Sequence, residues 1–231
     1  MTRFMEVGQL TTRTGDAPSM EAFVDVYVDA KGYVQNAGFT HQPISALEKG
    51  ALKGPVAVVL HRTAGATLGS ALSPAKSGVG THFYVDKDGT VHQTASLRHR
   101  THHVGKIKSR CQMEGNCTPE EAEKIRSWGW APTRIHNHEK AKPYPKRFPM
   151  NEDSVGIEVV ARCLTHCAPD EGDQATWEPP TPEQAESIRT IVEILKSTYA
   201  LGDEDVFEHD RISYKKGGEG AGLYTPGGDD E

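Results

Sequence analysis

Two histidines close apolar runs far apart in the chain: His61 in "VVLHRTAG" and His209 in "FEHDRISYKKGGEGAG". Alone, a histidine at the end of a strand is a hydrogen-bonded packing residue. Two of them with an acid have another use. Zinc takes imidazole nitrogens and carboxylate oxygens, and a catalytic site keeps three protein ligands and one open position. Glu219 follows His209 in a glycine-rich loop able to fold back. A second acid, Glu158, stands in "SVGIEVV", a run too apolar to leave a charge unpaired. A carboxylate buried there needs a partner or a purpose. His99, His102 and His103 cluster too, but Arg98, Arg100 and Lys106 beside them argue against a separate metal site. His41, His92, His136, His138 and His166 read as solvated, and His82 as packed under a sheet.

The pieces "VVLHRTAG", "GVGTHFYVDKDGTVHQ", "HHVGK", "NEDSVGIEVVA" and "EHDRISYKKGGEGAG" follow one another between residues 54 and 222. In that order they resemble the zinc-dependent N-acetylmuramoyl-L-alanine amidases, the amidase-2 group that includes the peptidoglycan recognition proteins. The resemblance puts His61 and His209 on the two histidine ligands of Zn2+. The family's third ligand is an Asp or Cys close behind a lysine. Neither stands there in this chain, and Glu219 is the nearest candidate. Asp210 ranks second, since its side chain should point away from that of its neighbour His209. Zinc accepts either carboxylate at similar distance, but the loop needs another path to absorb the extra methylene. Some members carry a catalytic tyrosine, for which no counterpart is legible. Glu158, in an S-x-G-I-E strand, instead favours the glutamate-containing subgroup, where it would act as general base and acid on a Zn-activated water. Stabilisation of the oxyanion falls on Lys216 or Lys215, with Lys216 preferred. His103 resembles the histidine of the family's W-H-A-G segment. It and Thr81 are the substrate-binding candidates, and His103 could instead support the metal from behind.

Elements must carry these residues to one place. "GPVAVVLH" and "SVGIEVVAR" read as buried strands, and "GTHFYVDKDGTVHQTA" as a hairpin turning at Asp88-Gly89. "AFVDVYVDAKGYV" reads as a strand, with Val24, Val26 and Val28 on one side, before a turn near Gly32. "TPEQAESIRTIVEILKSTYA" has Thr181 as N-cap, Pro182 at the first helical position and Gln184 completing a capping box. Its apolar positions Ile188, Ile191, Val192, Leu195 and Tyr199 share a face. "TPEEAEKIRSWG" repeats the opening and stops at Gly129, and residues 130–153 read as one long Pro-rich loop. Strands alternating with helices in one composition regime predict an α/β single domain with a central mixed β-sheet flanked by helices. The expected layout is an N-terminal extension (1–50) packed on a catalytic domain (51–223), then an acidic, Gly-rich tail (224–231).

A net charge of −6 argues against nucleic-acid binding by phosphate neutralisation. No apolar stretch is long enough for a membrane span, and the N-terminus shows no ordinary secretory signal. Cys111, Cys117, Cys163 and Cys167 lack the spacing of zinc knuckles, leaving reduced thiols and two disulfides both open. The leading expectation is a zinc amidase cutting the N-acetylmuramic acid–L-alanine bond of peptidoglycan or a muropeptide. Basic residues 134–147 would hold substrate carboxylates or simply be solvated. An antibacterial effector, exported by a leaderless route into a periplasm and matched by an immunity protein, is preferred over a phage endolysin or a cytoplasmic recycling amidase. The rival of another class is a muropeptide-binding module without catalysis.

Overall fold

The computed structural model describes residues 25–168 and 174–227; the strand expected from Val24 begins outside them. Its strands are β1 (Tyr27–Val28), β2 (Val34–Gln35), β3 (Thr40–His41), β4 (Ala57–Ala64), β5 (Phe83–Val85), β6 (Val91–Gln93), β7 (Ser154–Thr165), β8 (Thr176–Trp177) and β9 (Val206–Glu208). Helices are α1 (Leu68–Lys76), α2 (Arg110–Glu114), α3 (Pro119–Arg126), α4 (Pro132–Lys140), α5 (Pro182–Tyr199) and α6 (His209–Ile212). One sheet runs in the order β3-β6-β5-β7-β4-β9, with β8 paired to β7. The pairs β4–β7, β4–β9, β5–β7 and β3–β6 are parallel, while β5–β6 and β7–β8 are antiparallel. The domain is therefore α/β with a central mixed sheet, as the sequence predicts.

β4 and β7 lie inside the sheet and read as nearly unbroken apolar runs because both their faces are covered. Side chains alternate between those faces. Val58, Leu60, Phe83, Val85, Val155, Ile157 and Val159 pack with Ile188, Ile191, Val192 and Leu195 of α5. Val59, Tyr84 and Val160 join separate clusters, with α1 residues or with Val104, Ile107 and Ile212. α5 begins at the expected capping box: Thr181 accepts from the Gln184 N–H, and Gln184 accepts from the Thr181 N–H. Ile188 is fully buried. Ile188→Ala should cost about 2–5 kcal/mol of stability in a denaturant titration, the usual cost of such a cavity. A loss under about 1 kcal/mol would contradict this packing.

Two local expectations change, and the question left open for the cysteines is answered. Among the described residues of the segment read as a strand before the turn at Gly32, only Tyr27–Val28 pairs, with β2, and Gly32 takes φ +86° at that turn. Residues 130–153 are not one loop, because α4 occupies Pro132–Lys140. Its only buried residues are Ile135 and Glu139, four positions apart, so an almost wholly polar sequence concealed it. The thiols form two disulfides, Cys111–Cys117 and Cys163–Cys167. β3 adds an edge strand to the main sheet through β6, so residues before 51 contribute to it directly. Among the described residues no helix is long and apolar enough to cross a membrane.

Candidate metal centre

The register of the sheet assembles the centre. His61 on β4 is the partner of Glu158 on β7, and Glu158 is the partner of Tyr84 on β5. Leu60, Ile157 and Phe83 face α5, so alternation puts His61, Glu158 and Tyr84 in a row on the opposite face. β9 ends where Glu208 pairs with Leu60, and the next residue, His209, opens α6. The rings of His61 and His209 consequently lie 4.1 Å apart between centroids.

Glu219 completes the group from its loop. One donor atom from each of His61, His209 and Glu219 lies within 4.8 Å of the other two. Glu219 Oε1 is 2.8 Å from His209 Nδ1 and 3.7 Å from His61 Nδ1. The loop is held by two clamps. Asp210 accepts from the N–H groups of Gly218 (2.8 Å) and Gly220 (2.9 Å). The Arg62 guanidinium donates to the carbonyls of Gly218, Glu219 and Ala221 at 3.0, 3.2 and 2.8 Å. Gly220 lies so close to the strands that an added Cβ would sit 2.7 Å from Leu60 O, Glu208 Cα and His209 N. Asp210, the second-ranked ligand, is thus a loop anchor. Its carboxylate points at backbone amides.

Donor chemistry at His209 fits a cation. Its Nε2 lies 2.9 Å from the Val104 carbonyl, and its Nδ1 faces the Glu219 carboxylate. A neutral imidazole has one N–H and satisfies one of these acceptors. The other requires positive charge between Nδ1 and Oε1, from a proton or a metal ion. A backbone carbonyl placed like that of Val104 is the kind of outer partner that would orient a histidine towards a metal. Burial, reinforced by the charge of His209, pushes His61 down to about 3, which keeps that ring neutral and able to ligate. Burial works against the Glu219 charge, yet bonds and charges from His209 and His61 prevail and hold its carboxyl well below the usual range.

These groups line a cavity of about 150 Å³ together with Thr63, Tyr84, His102, His103, Glu158 and Lys215. Burial, and then the charge of Glu219, pushes Glu158 up to about 8, opposed by Lys215. A carboxyl raised from 4.5 favours the fold in its protonated form, so this contribution is full below pH 4.5 and is lost as pH rises towards 8. In metal-free protein, the melting temperature of Glu158→Gln should therefore gain on wild type by several degrees between pH 5 and pH 8. At this chain length each kcal/mol is worth about 2–4 °C. A constant difference across that range would show that Glu158 is not desolvated.

The other expected site residues fare differently. Lys215, not Lys216, lines the cavity, because neighbouring side chains diverge and only one of the two can face it. Thr81 is fully buried and donates to the Phe83 carbonyl at 2.8 Å, so it is closed to a substrate. His103 is largely buried at the cavity wall, its Nδ1 3.1 Å from His61 Nε2. His82 is buried as expected. His138 is not simply solvated: it bonds Glu121 at 3.0 Å and ties α4 to α3, while His136 accepts from the Ile107 N–H. In the basic segment, Lys142 pairs with Glu121 and Glu139, and Arg147 with Asp153. These two are committed internally. Glu121, His138 and Glu139 also converge, but the Lys142 ammonium already answers their charge. Tyr84 was missed in the sequence, although strict alternation within "HFYV" carries the signal.

The chain belongs to the N-acetylmuramoyl-L-alanine amidase family, which it matches over residues 52–220. It is an enzyme of that family, and every residue of the centre falls inside the matched span. Among solved structures, a selenomethionine derivative of AmpD is similar with a TM-score of 0.49 and 17% identity, over 80% of this chain and 87% of that one. AmiD from E. coli, in complex with anhydro-N-acetylmuramic acid-L-Ala-D-gamma-Glu-L-Lys, gives 0.46 and 17%, over 81% and 57%. PlyL gives 0.43 and 16%, over 77% and 84%. A comparison with curated protein sequences finds no match.

Proposed function

We propose that this chain hydrolyses the amide between the lactyl group of N-acetylmuramic acid and L-alanine in peptidoglycan, with zinc held by His61, His209 and Glu219. The observation that carries this reading is the convergence of those three donors beside Glu158 in one cavity. Bound zinc would supply Lewis acidity, lowering the pKa of a coordinated water towards ~7 and polarising the scissile carbonyl. Glu158, in register with His61, takes the proton that water loses as its oxygen bonds to the carbonyl carbon. It then delivers that proton to the departing alanine nitrogen as the C–N bond breaks. The Lys215 ammonium faces the same cavity and offsets the negative charge that develops on the carbonyl oxygen.

Digestion of purified wall by zinc-loaded protein, followed by mass spectrometry, tests this. The expected products carry a new lactyl carboxylate and a free L-alanine amino group, with no new reducing sugar ends. Muropeptide binding without cleavage by the zinc-loaded protein would replace the proposal with the recognition-module reading.

We further propose that the enzyme works in an oxidising compartment, a periplasm under antibacterial attack. The two disulfides support this, since such bonds persist where thiols are not kept reduced. Expression directed to the periplasm should lyse cells and cytoplasmic expression should not. Lysis from both compartments would remove this part of the proposal.

A further inference from the structure

Strand β7 carries a glycine, Gly156, between the buried Val155 and Ile157. An added Cβ there would lie 2.7 Å from His103 Nδ1 and 3.0 Å from its Cγ. The glycine keeps open the space in which the His103 ring lies against the strand. Asn151 holds the same residue from its backbone: its Oδ1 accepts from the N–H groups of His103 (3.0 Å) and Val104 (2.8 Å).

The ring sits in a chain of hydrogen bonds whose direction can be deduced. Ser154 donates its single hydroxyl hydrogen to the Met150 carbonyl at 2.7 Å. Its oxygen, 3.3 Å from His103 Nε2, can then only accept, so His103 carries its hydrogen on Nε2. His103 is buried, and among the described residues no acidic side chain is a hydrogen-bond or ion-pair partner of its ring, so the ring is neutral. The neutral ring has one N–H, so its Nδ1 is an acceptor and takes the hydrogen of His61 Nε2 at 3.1 Å. This leaves the lone pair of His61 on Nδ1, the nitrogen 3.7 Å from Glu219 Oε1.

We propose that His103 and Ser154 are positioning residues that fix the His61 tautomer, the Met150 carbonyl setting the direction and Gly156 making the room. The Val104 carbonyl does the same for His209 in a single step, so both ligands present Nδ1. The purpose assigned to the relay rests on the metal reading above; its existence does not.

Ring nitrogen-15 NMR of the metal-free protein tests the relay. Wild-type His61 should carry hydrogen on Nε2. In Ser154→Ala, His103 is free to hold its hydrogen on Nδ1, and His61 should shift towards the form protonated at Nδ1. The zinc dissociation constant, measured by chelator competition, should rise about 10–100-fold, the usual effect of losing an outer partner of a ligand. His103→Gln offers His61 an amide oxygen and should bind zinc within a few-fold of wild type, whereas His103→Leu should not. Gly156→Ala removes no polar group, and by crowding the ring should reproduce the tautomer shift. Backbone amide spectra identify any variant that has not folded. An unchanged His61 tautomer in Ser154→Ala and Gly156→Ala, or equal zinc affinity in the Gln and Leu variants, overturns the relay. Wild-type protein that takes up no zinc would defeat the metal reading, while the tautomer measurement would still decide the relay.

Discussion

Glu158→Gln is expected to retain one equivalent of zinc and the native fold while amide hydrolysis drops by about 10²–10⁴-fold, the range a general acid–base contributes. That is about 3–5 kcal/mol of transition-state stabilisation. The amide fills the same space as the carboxylate but cannot take a proton from water or return one to the alanine nitrogen. Zinc should stay because Glu158 lines the cavity without belonging to the convergent donors, which are His61, His209 and Glu219. The substitution should also stabilise the metal-free protein near pH 8, since it removes a carboxylate whose ionisation burial opposes. Lower activity with higher stability is the signature of a group kept for chemistry at a cost to the fold. Zinc-loaded Glu158→Gln digesting wall within about ten-fold of wild type would remove Glu158 from the reaction.

The sheet was largely legible because burial writes directly into composition. β4 and β7 are covered on both faces, and their valines and isoleucines left few alternatives. α5 announced itself through Thr181, Pro182 and Gln184, each satisfying a different need of a helix start. α4 did the reverse. It touches the core through little more than Ile135, and its buried Glu139 is neutralised by Lys142, an ion pair that no periodicity of apolar residues reveals. α1 is equally hard to see in the sequence, for its capping box pairs Thr67 with Ser70 rather than with Glu or Gln.

In the centre, residue types were legible where chemistry restricts them, and directions were not. A histidine ending a buried strand and an acid inside another are conspicuous, and the sheet brings His61 and Glu158 into register. Whether Lys215 or Lys216 faces the cavity depends on the backbone after α6, which adjacent identical residues cannot encode. Thr81 is a substrate-binding candidate by its place in the chain, yet its hydroxyl is spent on the Phe83 carbonyl, a contact no sequence pattern announces. Gly156 was visible all along as the G of S-x-G-I-E, but its use depends on a ring arriving from residue 103.

Glu219 is where this chain departs from the Asp or Cys its resemblance led one to expect, and the path of the loop accounts for the difference. Asp210 and Arg62 bind the backbone on both sides of Glu219, and Gly220 lies against Leu60, Glu208 and His209 with no room to move closer. A side chain shorter by one methylene cannot be compensated by a loop so fixed. Glu219→Asp should therefore weaken zinc binding nearly as much as Glu219→Gln. Both should raise the dissociation constant by more than the about 10–100-fold expected for an outer partner. Relaxing the loop with Asp210→Ala should leave Glu219→Asp a better zinc binder than it is in the fixed loop, a sign that simple additivity does not predict. Chelator competition on the two single variants and the double variant reads this directly. Full zinc affinity in Glu219→Asp would mean that the loop is free to follow, and that the extra methylene is incidental.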